Sequence, residues 1–164
     1  MAEDLVYTSF EMAAEIGGDI APAIYANYFA RCPGSQALMS HIDDLVRGKM
    51  LEEVYRLLML DDYREEQGYL NFEIKNHKLA YSVEANMYGN LLAAIQDTIR
   101  STLGDAWQPA FEAAWQQRIG DLTQEINARI QESPSTMSRE PLTSRPICQR
   151  DLKHCPLIIT PGYF

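Results

Sequence analysis

The sequence predicts an all-α fold of six to eight helices, and three observations carry that prediction. Apolar residues recur at intervals of three and four through most of the chain, the spacing of one buried helix face. No segment alternates apolar and polar residues with the period of two that a half-buried strand requires. Glycine or proline stands at several junctions between the periodic stretches (Gly17-Gly18, Pro33-Gly34 and Gly104), where it ends a helix or starts a turn.

The first helix spans about 4–16 and places Leu5, Phe10, Met12, Ala13 and Ile16 on one side, and Gly17 and Gly18 end it. Asp19 is suited to cap the second helix, and Pro22 sits in its first turn, where a missing N–H costs little. That helix carries Ile24, Tyr25, Tyr28 and Phe29 and stops at Cys32 and Pro33. Pro33, Gly34 and Ser35 turn the chain into a short helical piece ending at Leu38 and Met39. A helix follows over about 44–60, with Leu45, Val46, Met50, Leu51, Val54, Leu57 and Leu58 as its apolar stripe. The stretch 61–68 reads as a polar link, 69–77 as a short helix ending at His77, and 78–83 as an extended connection. A long amphipathic helix runs from 84 to Leu103, and Gly104 is placed to close it in the left-handed conformation. The last helix covers about 107–130 and would bury Phe111, Ala114, Trp115, Ile119, Leu122, Ile126 and Ile130.

From Ser133 the composition changes. Five prolines (134, 141, 146, 156 and 161) among scattered Ser and Thr prevent a long helix in 133–164. The expected organisation is one domain, 1–132, and a mobile Pro/Ser-rich tail whose last residues, from Pro156 on, are apolar enough to dock on a surface.

A net charge of −9 disfavours general binding to nucleic acid, because phosphate would be repelled. No apolar run reaches the ~18 residues of a membrane span, and the first residues lack the pattern of a secretory signal. The expectation is a cytoplasmic protein with no membrane or nucleic-acid partner. Three cysteines (Cys32, Cys148 and Cys155) do not suggest a disulfide framework. Cys148, His154 and Cys155 lack a CxxC pair and an evident fourth ligand, so they do not read as zinc-binding.

His77 carries the functional reading. A histidine at the end of a short helix, backed by a long one, suits a metal held in a flat macrocycle: the short helix aims the imidazole, and the long helix walls the ring. The bland alternative is a surface histidine favoured by the helix dipole.

Three segments add a resemblance. The first is Ile24-Tyr25-Ala26-Asn27-Tyr28-Phe29-Ala30-Arg31-Cys32-Pro33; the second is Asn76-His77-Lys78-Leu79-Ala80-Tyr81-Ser82-Val83, followed by Met87 and Tyr88; the third is Leu103-Gly104-Asp105-Ala106-Trp107 with Ala113-Ala114-Trp115. In order and spacing, over about 4–130, the chain resembles the globin family, specifically bacterial single-domain globins and the haem domain of flavohaemoglobins.

The resemblance implies a globin-like fold holding haem b, with His77 as the iron ligand and its other ring nitrogen bonded to a backbone carbonyl or to Tyr88. It implies Tyr25, with Tyr28 as the rival, as a distal donor to bound oxygen. Met39, Leu51, Val54, Phe72, Tyr81, Val83, Met87, Tyr88 and Leu91 are the expected cofactor contacts. The residue over the iron is left open between Arg47 and Met50, with Arg47 expected to be exposed and His41 expected in a loop.

The implied ligands are oxygen or nitric oxide, for storage, sensing or detoxification. Nitric oxide dioxygenase turnover would need a separate reductase, since no flavin or nicotinamide domain follows. The chain departs from the family at three points. Met39 replaces the phenylalanine that wedges the haem, one extra residue separates His77 from Val83, and Ile130 stands where a supporting glutamate is expected, with Glu132 near. Met39 in place of the wedge, together with the tail 133–164, motivates an alternative: a globin-fold interaction module without haem.

Overall fold

The computed structural model describes residues 4–60 and 62–132, with nothing stated of the Glu132 side chain. The expected tail, 133–164, lies outside the described residues, as do Cys148, His154, Cys155 and the apolar end from Pro156.

Among the described residues the protein is all-α. Seven helices follow one another: α1 (Leu5–Gly17), α2 (Ala21–Arg31), α3 (Pro33–Leu38), α4 (Asp44–Leu58), α5 (Gln67–Tyr81), α6 (Ala85–Leu103) and α7 (Pro109–Glu132). A single 3-10 turn, Gly104–Ala106, links the last two.

Side-chain chemistry sets the ends. Asp4 caps α1 by accepting from the backbone N–H of Val6 and Tyr7 at 3.0 and 3.2 Å. Asp19 accepts from the Ala21 N–H at 3.0 Å and opens α2. Asp43 accepts from the Val46 N–H at 2.9 Å and caps α4. Gly18 and Gly104 take positive φ (64° and 52°) just past α1 and α6, a conformation glycine adopts without steric cost.

The greatest departure from the sequence reading is at α5. The helix continues through Lys78–Tyr81, which read as extended, and it starts two residues before Tyr69. Lys78, Leu79 and Ala80 are good helix formers, and nothing before Ser82 breaks the ladder. Ser82 then turns left-handed (φ 54°), and the N–H groups of Ser82 and Val83 both reach the His77 carbonyl. The histidine is therefore one turn inside the helix end.

Helix α2 crosses α6 in the most extensive pairing, and α7 packs against α1, α4, α5 and α6. Trp115 is the largest fully buried side chain. Its indole N–H donates to the Ser9 hydroxyl at 2.9 Å, and Ser9 donates to the Val6 carbonyl at 2.7 Å. A buried indole leaves no orphan donor only because that hydroxyl is there. Ile24, Leu51, Leu58, Ile95, Ile99 and Leu122 complete the centre of the core. Among the described residues no helix is long and apolar enough to cross a membrane.

Candidate functional site

Helices α4 and α5 are tied at one end by charge. Arg56, late in α4, bonds Glu53 at 3.0 Å and Glu66, just before α5, at 2.9 Å. Its guanidinium also lies 5.1 Å above the Tyr69 ring. The candidate ligand-binding residues stand toward the opposite ends: Arg47 in the first turn of α4 and His77 late in α5.

The His77 side chain is about one-fifth exposed. Its Nδ1 lies 3.0 Å from the hydroxyl of Tyr88, in the first turn of α6. Its Nε2 lies 3.7 Å from the Glu73 carboxylate, beyond hydrogen-bond reach. Burial pushes the imidazole pKa below its ordinary value, favouring the neutral ring that a metal requires. The Tyr81 ring stands edge-on, 6.5 Å from the His77 ring, and Tyr81 is half-buried.

Tyr25 is buried, and its hydroxyl donates to the Arg47 carbonyl at 2.9 Å. Burial is the main cause that drives this phenol's pKa far above the usual range. Tyr28 is buried to the same degree. Arg47 is not the exposed residue the sequence reading expected. Its guanidinium lies 5.9 Å from the Tyr25 ring and 5.4 Å from the Phe29 ring, and its Nη2 donates to the Met39 carbonyl at 3.0 Å. Stacking on two aromatic faces keeps the charge satisfied while the stem packs. Its Nε is buried without a partner.

The remaining expected contacts divide. Leu51 is buried in the core, and Met39, Val54, Tyr88 and Leu91 pack against that core. Met87 is half-buried, near Gly34. Val83 and Tyr88 line a groove of about 330 Å³ with Ile74, Lys78, Ser82 and Ile130.

Phe72 departs from its expected place in a pocket, because it is half exposed. The buried stripe of α5 runs through Leu70, Glu73 and Ile74. At 100° per residue, position 72 falls on the far side of that stripe. His41 is exposed, and Trp107 donates to Glu112 at 3.2 Å as a packing residue.

One residue beside the ring has no counterpart in the sequence analysis. Glu73 is buried at 4% exposure, one turn before His77. The resemblance puts the place of a supporting glutamate at Ile130, with Glu132 near; the carboxylate beside the ring comes from the histidine's own helix. The signal was the i, i+4 spacing of Glu73 and His77. Arg47 was legible as a candidate, but its inward packing depends on where the loop after Met39 sends α4.

A haem iron's axial position asks for a neutral imidazole with one nitrogen tied and the other without a hydrogen bond. His77 meets the first condition through its Nδ1–Tyr88 contact, while its Nε2 faces the Glu73 carboxylate at 3.7 Å. Two grooves border the helices, one of about 330 Å³ and one of about 780 Å³, and neither is lined by Tyr25 or His77. Among the described residues no three His, Cys, Asp or Glu side chains gather to hold a bare metal ion. No protein-family model matches the chain, and no curated protein matches it at a significant level.

Proposed function

We propose that this chain is a haem b protein of globin type that binds oxygen or nitric oxide at a five-coordinate iron. The observation that supports this reading is the environment of His77, largely buried, with Nδ1 3.0 Å from the Tyr88 hydroxyl and Nε2 3.7 Å from the Glu73 carboxylate. Haem supplies the gas-binding iron when bound. The chain's residues do the rest. With Nδ1 protonated, the Tyr88 hydroxyl would accept from it and leave Nε2 as the ligand atom. Val83 holds the His77 carbonyl at 3.1 Å and with Ser82 anchors the helix end. Tyr25 offers a buried hydroxyl, now given to the Arg47 carbonyl, that a bound gas would have to win. Leu51 and Val54 keep water from the α4 side. A storage, sensing or detoxifying role fits this chemistry, and dioxygenase turnover would draw electrons from a separate reductase.

A second reading, an interaction module without haem, has its own observation. Arg47 packs on Tyr25 and Phe29, so the α2–α4 side is closed by the protein's own side chains. Expression with haem supplied separates the two. Coloured protein with an intense Soret band, reduced and carbon-monoxide-sensitive, supports the first; colourless protein supports the second.

A further inference from the structure

The groove of about 330 Å³ lies between the end of α5, the start of α6 and the end of α7. Its apolar lining is Ile74, which is buried, with Val83 and Ile130, which are half-buried, and Tyr88 stands beside them. Its exposed lining includes one cation, Lys78, and one anion, Glu84. The local fold brings the two together. Ile74 and Lys78 stand four apart, on one edge of α5. Ser82 then turns left-handed (φ 54°), and the Val83 N–H reaches the His77 carbonyl at 3.1 Å. The chain changes direction there, and Glu84 joins Lys78 at the same groove.

Among the described residues, Lys78 and Glu84 form no ion pair with each other or with any other side chain. The Glu84 side chain makes no capping bond to α6 either. One unpaired charge on a surface is ordinary. Two of opposite sign, at the border of one apolar cleft, make a recognition pattern for a molecule that carries both signs.

We infer that this groove binds a free α-amino acid with an apolar side chain. Lys78 takes its carboxylate, Glu84 takes its ammonium group, and Ile74, Val83 and Ile130 take its side chain. Charge decides the class. A simple carboxylic acid would satisfy Lys78 and set like charge against Glu84, and a simple amine would do the reverse. A zwitterion satisfies both and leaves the charge of the site unchanged. A phosphorylated ligand would face Glu84 on a chain of net charge −9. Size agrees as well. The groove, at about 330 Å³, is at the small end of the ~300–1,000 Å³ typical of ligand sites. This inference does not depend on haem.

Isothermal titration calorimetry of the full chain with L-phenylalanine and L-leucine tests it, with helicity by circular dichroism as the folding control. Saturable binding of one amino acid per chain is expected. Hydrocinnamate, which lacks the ammonium group, and phenethylamine, which lacks the carboxylate, are each expected to bind at least ~10-fold more weakly than phenylalanine. Lys78→Gln is expected to weaken phenylalanine by a similar factor without weakening phenethylamine. Glu84→Gln is expected to weaken phenylalanine without weakening hydrocinnamate. No saturable heat from either amino acid at millimolar concentration overturns the inference. So does binding that either variant leaves unchanged, or that the acid or the amine equals, because the two charges would then not be reading the ligand.

Discussion

The Nδ1 atom of His77 lies 3.0 Å from the hydroxyl of Tyr88, joining the end of α5 to the start of α6. The two residues are eleven apart in sequence, and the left-handed turn at Ser82 brings them together. If His77 holds iron, Tyr88 orients the ligand. Tyr88→Phe should then lower haem affinity about 10–100-fold, as loss of an outer partner does at other metal sites. Competition for haem against apomyoglobin measures this, and unchanged affinity would leave Tyr88 a packing residue.

Tyr25→Phe removes the bond to the Arg47 carbonyl. The haem-free protein should lose about 0.5–1.5 kcal/mol in urea unfolding. In the haem-bound protein oxygen should leave ~10-fold faster, measured by stopped-flow displacement with carbon monoxide. An oxygen off-rate equal to the wild type's would remove Tyr25 from any role toward the ligand.

The helices were legible because their apolar residues repeat at the right interval and end at Gly17, Gly104 and Pro33. The end of α5 was not, because Lys78–Tyr81 has neither a breaker nor a strong period, and the deciding event is a serine in a conformation favoured by glycine. At the site, Tyr88 was one of the two partners for His77 that the resemblance implied, the other being a backbone carbonyl. Glu73 was hidden because a glutamate on a polar-looking helix reads as solvated until its neighbours bury it. Arg47 was misjudged for the same reason: aromatic stacking inside a fold is a tertiary event with no local pattern. Phe72 erred the other way, since its apolar character pointed inward while its helical phase points out.

Ser9→Ala should leave the buried Trp115 indole N–H without an acceptor. That costs about 1–3 kcal/mol, and Tm should fall by roughly 5–10 °C. Differential scanning calorimetry checks it. A loss under about 0.5 kcal/mol would show that water reaches the indole after substitution.

Alkali should unfold the protein in one cooperative step. Burial pushes the Tyr55 hydroxyl up to about 12 and drives those of Tyr25, Tyr69 and Tyr88 higher still. In the unfolded chain a tyrosine ionises near pH ~10. The unfolded state therefore loses its protons first. Stability from these groups is full below pH ~10 and is lost as pH rises through the folded values. Phenolate absorbance should rise together with the loss of helicity. Smooth titration of every tyrosine near pH ~10 in a still-helical protein would contradict the burial described.

Haem titration of the purified protein against His77→Gly, with and without imidazole, is the most direct measurement of the central proposal. The wild type should take up one haem per chain and give a five-coordinate ferrous spectrum. The variant should lose that spectrum and regain it when imidazole enters the vacated place. No uptake by the wild type, or the same spectrum from the variant without imidazole, would contradict the assignment of His77 as the iron ligand.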